Sequence, residues 1–308
     1  MRILSDADVR AALPMAVAIE STRELLTARR AGELVSAPRD RLMVGATGLV
    51  WTPGGHGPSH IGGLRLYLTG VEQNDQLVAV WDTASGKLRG LAIGAFLGAL
   101  RTGAIGGVAI DLMARADSTV LGVVGFGQQA WSQVEAARAV RPISRVQVYR
   151  RDRKALAEQV ALAERTWQIP VWPARSAQAA VEGADVVILA TGASTPVIEA
   201  GWLEAGTHVN ALGPKYSGNQ EIGLDLIERA GQIVSDFPDQ YRREQDFMLQ
   251  GTAHAERLGD LAEAMEGFWR AEGEVTCFLS HGLSGTEVWL VARALEEAER
   301  LGLGHSRG

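Results

Sequence analysis

Cysteine is almost absent from this chain of 308 residues, which contains only Cys277. A single cysteine excludes a disulfide within the chain and gives no indication of a zinc cluster. Cys277 lies in the apolar run Val275 to Leu279, so we interpret it as a small buried hydrophobic residue rather than as a nucleophile. No metal site is predicted.

Basic charge and long apolar runs are also scarce. The formal net charge is −6 and the sequence pI is about 5.6, which favours neither nucleic acid nor an anionic membrane as a partner. The stretch from Met1 to Arg10 carries charges throughout and lacks the apolar segment of a signal peptide. No apolar stretch is expected to reach membrane-spanning length. We therefore expect a cytoplasmic protein.

The stretch from Thr119 to Asp152 has the pattern of a dinucleotide-binding unit. The apolar run Val120 to Val124 predicts a strand, a helical pattern continues through Ala139, and residues 146–149 predict a second strand. Strand, glycine turn, helix and strand follow one another within about 30 residues, as such a unit requires.

The turn itself carries a G-x-G-x-x-A fingerprint formed by Gly125, Gly127 and Ala130. The first glycine allows a tight turn, the second lets the backbone approach a pyrophosphate, and the alanine lets helix and strand pack closely. The N–H groups at the start of the helix would face the phosphates. We predict that these residues, with Gln128 and Gln129, bind the cofactor. The alternative is a glycine-rich turn that binds nothing.

The end of the second strand bears on which cofactor is used. Tyr149 is followed by Arg150, Arg151 and Asp152. An acidic residue here binds the 2′-hydroxyl of NAD, whereas an arginine suits the 2′-phosphate of NADP. We predict NADP through Arg150 and Arg151. NAD stays open because a small shift of the loop would bring Asp152 to the ribose.

The first third of the chain combines helices with an antiparallel layer. Ser5 is expected to cap a first helix with Asp8 in its first turn, and Pro14 to begin a longer helix that Gly32 ends. Short alternating runs then predict strands at 41–44, 47–51, 64–68, 76–81 and 88–93. A helix is predicted from about residue 95 to 113.

After residue 152, strands and helices alternate. The apolar run 185–190 predicts a buried parallel strand, and Thr191 and Gly192 at its end are predicted to bind the cofactor. Residues 238–272 read as helical, residues 275–279 as a late strand, and residues 287–301 as a closing amphipathic helix.

This order predicts an α/β fold, with a Rossmann dinucleotide-binding domain inserted in a second, α+β domain. We expect residues 1–115 with 284–308 to form the substrate-binding and dimerisation domain. Residues 116–283 would form the Rossmann domain.

Several motifs are similar to those of the ornithine cyclodeaminase and mu-crystallin family, which also holds alanine dehydrogenases and ketimine reductases. The matching segments are Ala37-Pro38-Arg39, Trp51 to Gly54, Asp82 to Gly86, Arg101 to Ala104, Asn210 to Gly213, Gly218 to Ile222 and Phe278 to Leu283. The resemblance implies a two-domain fold and a homodimer formed through the non-Rossmann domain.

The resemblance also marks departures. The catalytic lysine of the family falls on Arg65 and its essential aspartate on Lys215, whereas the arginine that grips the substrate carboxylate is kept as Arg101. Arg39, Arg65, Arg101 and Lys215 would line the substrate pocket and suit a substrate with more than one carboxylate, or a keto or imino acid. His281 falls on an apolar position beside the nicotinamide, as a substrate contact or as a packed histidine.

The resulting hypothesis is an NAD(P)H-dependent oxidoreductase that reduces an imine or 2-oxo acid carbon next to a carboxylate. Arg101, Lys215 and Arg65 are the predicted catalytic residues. Lys215 would protonate the amine nitrogen if cationic neighbours lower its pKa. Two alternatives stay open: a non-catalytic, crystallin-like NADP-binding protein, and a redox-neutral ornithine cyclodeaminase. Lys215 in place of an aspartate counts against the cyclodeaminase.

Two histidines, His56 and His60, lie in a glycine- and proline-rich stretch, 54–63, that is predicted to be a loop. We interpret them as ordinary loop histidines rather than as a metal-binding pair.

Overall fold

A computed structural model describes residues 1–71, 75–268 and 273–306. Internal contacts divide the chain into two compact units, Met1–Ala104 with Leu283–Gly308, and Ile105–Gly282. The sequence-based domain limits place the division after residue 115 instead, and they stay a prediction.

The first unit is built on one mixed sheet. Its strands are β1 (Arg2–Leu4), β2 (Leu34–Ser36), β3 (Asp40–Val44), β4 (Thr47–His56), β5 (Ile61–Thr69), β6 (Gln76–Asp82), β7 (Leu88–Gly94) and β18 (His305–Ser306). They are ordered β18-β1-β7-β6-β5-β4-β2, and β3 pairs with β4. The predicted antiparallel layer is confirmed, since among the described strands of this sheet only β1 and β7 pair in parallel.

The helices of the first unit begin where the sequence places them. They are α1 (Asp6–Ala12), α2 (Met15–Arg30) and α10 (Thr286–Leu301). Ser5 caps α1 in a reciprocal capping box with Asp8, as predicted. Helix α10 packs on strands β4 to β7 and on α1 and α2, which buries its apolar face in the core.

Helix α3 (Phe96–Met113) corrects one expectation. By length and composition alone this helix could cross a membrane, so the prediction that no stretch reaches that length is wrong. That is weak evidence for a membrane span, because the core helix of a soluble protein passes the same test, and 78% of its residues are buried inside the structure.

The second unit contains the predicted Rossmann sheet. Its strands are β8 (Val120–Val124), β9 (Arg145–Tyr149), β10 (Val171–Pro173), β11 (Val186–Leu189), β12 (His208–Ala211), β15 (Ala230–Ser235), β16 (Leu258–Asp260) and β17 (Val275–Leu279). They run parallel in the order β10-β9-β8-β11-β12-β17-β15-β16. In chain order, the first six positions read third, second, first, fourth, fifth and last, as in a dinucleotide-binding sheet.

Helices cover both faces of this sheet. They are α4 (Gln128–Val140), α5 (Arg153–Trp167), α6 (Ala177–Val181), α7 (Leu224–Arg229), α8 (Pro238–Arg243) and α9 (Leu261–Ala264). A small hairpin of β13 (Lys215–Tyr216) and β14 (Asn219–Gln220) follows β12. Buried apolar side chains on the two faces form separate cores, which explains the continuous apolar strands.

The segment 238–272 is mostly not helical, contrary to the prediction. Only the short helices α8 and α9 and one turn of 3₁₀-helix, Ala255–Arg257, interrupt it, together with strand β16. Residues 269–272 of the predicted helix lie outside the described residues. The apolar residues here are too sparse to form the buried face of a long helix. Part of the segment instead forms strand β16, which pairs in parallel with β15.

Candidate active site

The glycine turn after β8 has the geometry that the fingerprint predicts. Gly125 has a φ of 86°, and a Cβ there would lie 2.3 Å from the carbonyl oxygen of Ala190, so only glycine fits. Gly127 is the N-cap residue of α4, has no side chain to cap the helix, and faces open space. Ala130 is fully buried against the sheet. The first N–H groups of α4 are thus left for a ligand.

A pocket of about 600 Å³ opens in front of this turn. It is lined by the turn residues Gly125 and Gly127, by Arg150 and Arg151 after β9, and by Thr191 after β11. All of these follow the carboxyl ends of parallel strands at the point where the strand order reverses, the usual position of a dinucleotide. Gln128 and Gln129 are exposed at the start of α4, and Gly192 is exposed beside Thr191.

The three charged residues after β9 differ in what they contact. Arg150 donates to Gln159 Oε1 at 2.8 Å, with its Nη2 4.0 Å from Asp152 Oδ2. Asp152 caps α5 by accepting the N–H of Ala155 at 3.1 Å. Arg151 is exposed and has no hydrogen-bond or ion-pair partner within the described ranges. Within the described ranges, Arg151 is therefore the one of the three whose guanidinium donors are all unused.

A buried carboxylate that sequence reasoning did not assign joins two strand ends. Glu221 accepts the N–H of Thr191, after β11, on Oε1, and the N–H of Gly213, after β12, on Oε2 at 2.7 Å. Burial raises the pKa of Glu221, although nearby Lys215 and the two N–H donors counteract it. The Gln220-Glu221 pair in the family motif was the signal, but spacing alone could not show that its carboxylate spans two loops.

Lys215 is fully buried and held by main-chain oxygens. Its Nζ donates to the carbonyls of Gly213, at 2.7 Å, and Ser280, at 3.1 Å. Burial lowers its pKa to about 8. The predicted cause, cationic neighbours, is wrong, because the charges around it are those of Glu221 and Asp236 and they raise its pKa.

His281 follows β17 and is held on several sides. Its Nε2 lies 3.1 Å from Glu244 Oε1, and its ring stacks on that of Tyr241 with centroids 4.2 Å apart. Its N–H and that of Gly282 donate to the two carboxylate oxygens of Asp236 at 2.8 and 2.9 Å. Its imidazole is thereby fixed at the carboxyl end of the sheet.

In the first unit, the guanidinium of Arg65 is already engaged in hydrogen bonds to other side chains of the same unit. Nη1 donates to Glu287 Oε1 at 2.7 Å, and Nε and Nη2 donate to Gln76 Oε1 at 3.0 and 2.6 Å. The Tyr67 ring covers one face of the guanidinium at 4.1 Å. Sequence reasoning missed Glu287, because a glutamate at the start of an amphipathic helix is ordinary.

Arg101 contacts the same carboxylate, but its terminal N–H groups stay available for another acceptor. Its Nε is 3.0 Å from Glu287 Oε1, and its two Nη atoms have no hydrogen-bond partner among the described residues. Thr52 pairs with Arg65 across β4 and β5, is buried, and its Oγ1 also lacks a partner there. Arg39 is exposed, and its charge contributes to the pKa shifts of Arg65 and Glu287. These groups could accept a carboxylate, so the predicted role of Arg101 stays a prediction with favourable geometry.

The prediction of a loop at residues 54–63, around His56 and His60, is wrong. Strand β4 runs to His56 and β5 begins at Ile61, so residues 54–63 form a hairpin rather than a long loop. His56 is buried, bonds Ser59 at 2.8 Å and packs edge-on against Trp289. Within the described ranges there is no group of three side chains suited to a metal ion.

Comparisons with known proteins agree with this geometry. The model of the ornithine cyclodeaminase/mu-crystallin family matches residues 67–299. Alanine dehydrogenase of Archaeoglobus fulgidus is 32% identical over 65% of this chain and 63% of its own length. A Δ1-pyrroline-2-carboxylate reductase of Bacillus cereus is 31% identical over 74% of this chain and 72% of its own length.

A solved structure, an archaeal alanine dehydrogenase dimer with bound NAD, superposes with a TM-score of 0.88 at 26% identity, over 100% of this chain and 99% of that one. The family model spans most of the chain, and the expected α/β fold with a Rossmann sheet is confirmed. The chain therefore belongs to the ornithine cyclodeaminase/mu-crystallin family.

Proposed function

We propose that this protein is an NAD(P)H-dependent oxidoreductase that reduces an imine or 2-oxo acid carbon next to a carboxylate. The observation that carries the proposal is the uncapped start of α4 behind Gly125 and Gly127, which opens on a pocket of dinucleotide size. Relatives that are named alanine dehydrogenase and pyrroline-2-carboxylate reductase support this reaction class.

The residues present fit a nicotinamide dinucleotide. The N–H groups of α4 would bind the pyrophosphate, and Thr191 and Gly192 would border the nicotinamide half. When bound, the cofactor supplies the hydride. We propose NADP as the preferred form, because the unpartnered guanidinium of Arg151 matches a 2′-phosphate, whereas Asp152 is engaged as a helix cap. NAD remains compatible with the pocket.

For the substrate, we propose that Arg101 binds a carboxylate. Its two terminal nitrogens present the parallel donors that a carboxylate accepts, and Glu287 orients them through Nε. Arg65 stays bound to Glu287 and Gln76 and contributes position rather than a substrate contact. A substrate with one carboxylate suits this arrangement, since Glu287 neutralises one of the two buried guanidinium groups.

A panel of 2-oxo acids, with and without ammonia or methylamine, tests the proposal by oxidation of NADPH and NADH at 340 nm. We expect turnover with at least one acid, and a loss of at least about tenfold in kcat/KM for Arg101→Ala, as for a lost charged hydrogen bond. Arg89→Ala serves as the control, because Arg89 is a half-buried arginine on strand β7 of the first unit that pairs with Asp82.

A non-catalytic, NADP-binding protein is the second candidate. It is favoured by the contacts of Arg65 with Glu287 and by the full burial of Lys215. The sequence resemblance places these two residues at the positions of the family's lysine and aspartate. Binding of NADPH without turnover of any acid in the panel would support it. We also propose a homodimer, as in the archaeal alanine dehydrogenase; sedimentation would measure it.

A further inference from the structure

We propose that His281, paired with Glu244, is the proton donor for reduction of the neutral carbonyl of a 2-oxo acid to a 2-hydroxy acid. The inference rests on the proposed oxidoreductase function. It adds a catalytic group and a substrate class that the replaced lysine and aspartate positions do not supply.

His281 lies at the carboxyl end of the Rossmann sheet. Strand order puts β9, with Arg150 and Arg151 at its end, on one side of the glycine turn and β11, β12 and β17 on the other. In this arrangement the arginines mark the adenosine side, so the nicotinamide half extends towards β12 and β17. His281 follows the carboxyl end of β17, the side on which we place hydride transfer.

The imidazole ring is held in one orientation. Tyr241 stacks on it at an interplanar angle of 17° and is itself stacked on Phe247, with centroids 4.1 Å apart. The hydroxyl of Tyr241 donates to the carbonyl of Ser280 at 3.0 Å. Together with the carboxylate of Glu244 at 3.1 Å, these contacts fix the direction in which the ring nitrogens point.

The carboxyl of Glu244 is held in its charged form. Burial acts to raise the pKa of this carboxyl, but hydrogen bonds from His281 and Gln240 outweigh it and hold the pKa below its usual value. An ionised carboxylate on Nε2 orients the ring, as in other histidine–carboxylate pairs that move protons. Because Nε2 lies on Glu244, we assign the proton transfer to Nδ1.

Lys215 is a poor candidate for the same task. Its Nζ is directed at the carbonyls of Gly213 and Ser280 and is fully buried. Among the described residues near this strand end, His281 is the titratable side chain that combines a positioned ring with a charged partner.

The proton requirement selects the substrate class. A protonated imine accepts hydride and becomes a neutral amine, so that step needs no acid. A carbonyl carbon that accepts hydride pushes the C=O electron pair onto oxygen, which must take a proton to give the hydroxyl. His281 gives that proton from Nδ1, becomes neutral, and regains a proton from water. A histidine held in place by a carboxylate is therefore suited to carbonyl reduction.

The first measurement is NADPH oxidation with 2-oxo acids in the absence of any amine. We expect the wild type to turn over and His281→Asn to lose at least about 100-fold in kcat, the usual contribution of a general acid, with an unchanged Kd for NADPH. His254→Asn is the matched control, because His254 also faces a glutamate, Glu228 at 3.9 Å, but precedes the amino end of β16, whereas His281 follows the carboxyl end of β17.

A pH profile separates proton donation from a structural role. The rate of the wild type should fall on the alkaline side, and this limb should be absent in His281→Asn. The titratable groups around the ring are Glu244 and Tyr241 from the α8 segment, Asp236 after β15, and Lys215 after β12. Lys215→Met should keep the alkaline limb, which assigns it to the imidazole.

A readout without turnover uses the carboxyl carbon of Glu244. In protein labelled with ¹³C-glutamate, its resonance, identified by its loss in Glu244→Gln, should titrate at a higher pH in His281→Asn than in the wild type. Glu244→Gln should itself lower kcat by about tenfold without changing KM, and it keeps the test valid if His281→Asn does not fold.

The outcomes separate the two proposals. No turnover of any acid, with or without amine, overturns the oxidoreductase proposal and this inference with it. Turnover that depends strictly on amine overturns only the carbonyl inference. So does wild-type kcat in either His281→Asn or Glu244→Gln.

Discussion

Arg65 and Glu287 form a buried ion pair of 2.7 Å between strand β5 and helix α10. Both side chains are nearly inaccessible, and Arg101 approaches the same carboxylate oxygen at 3.0 Å. Burial acts to raise the pKa of Glu287, but Arg101 and Arg65 outweigh it and keep the carboxyl ionised. One carboxylate thus fixes two guanidinium groups in the first unit.

Removal of one partner should be worse than removal of both. We expect Glu287→Gln to lower the free energy of unfolding by about 3–5 kcal/mol, because it leaves buried guanidinium charge uncompensated. The double variant Arg65→Met with Glu287→Met should lose less, since only Arg101 is then left without the shared carboxylate. Urea unfolding followed by circular dichroism measures both, and equal losses would contradict the ion-pair account.

The two glycines of the turn should respond differently to alanine. Gly125→Ala should lower the melting temperature of the cofactor-free protein, because its φ of 86° and the carbonyl of Ala190 at 2.3 Å leave no room for a Cβ. Gly127→Ala should leave that melting temperature unchanged, since its Cβ would meet open space. Both should weaken NADPH binding, the second because its methyl group occupies the pyrophosphate position. Calorimetry and fluorescence titration separate the two effects.

Arg151 should control cofactor choice. We expect Arg151→Ala to raise the Kd of NADPH by about tenfold or more, the loss of a charged hydrogen bond, and to leave the Kd of NADH nearly unchanged. Lys154→Ala, an exposed cation in the same segment, is the control. Equal weakening of both cofactors, or tighter binding of NADH by the wild type, would refute the preference for NADP.

Lys215 should make stability depend on pH in the alkaline range. Its pKa falls from 10.5 to about 8 on folding, so between these values the unfolded chain binds more protons than the native one. Stability therefore rises with pH across this window. Lys215→Met should lack this rise, and the difference between the two unfolding curves at pH 7.5 and 10 isolates it. Parallel curves would show that Nζ is not buried as an ammonium.

The local patterns predicted much of the fold because they depend on near neighbours. A few neighbouring residues were enough to predict the helix cap of Ser5 with Asp8, the strand before Gly125 and the buried strand before Thr191. The hairpin at 54–63 was missed because glycine and proline suggest a loop, whereas pairing of β4 with β5 keeps both strands extended through it. Helicity over 238–272 was overestimated because polar composition cannot reveal a short edge strand such as β16.

The site residues were harder to predict because their partners are distant in sequence. Arg65 meets Glu287 across 222 positions, and Lys215 meets the Ser280 carbonyl across 65. Sequence alone identified the cations but not the groups that neutralise or bury them. For that reason four cationic positions suggested several carboxylates on the substrate, whereas the contacts of Arg65 leave the buried cluster with a smaller excess of charge.

The carboxylate of Glu221 makes the loops after β11 and β12 depend on each other in evolution and in protein engineering. Thr191 and Gly213 each donate a backbone N–H to it. Replacing either loop alone with that of a relative would therefore leave a carboxylate oxygen or a backbone N–H without its hydrogen-bond partner. Loop exchange aimed at new specificity must therefore transplant both loops together with the glutamate. A substitution that moves one of the two loops, or Glu221 itself, will be tolerated only when the other two keep these hydrogen bonds.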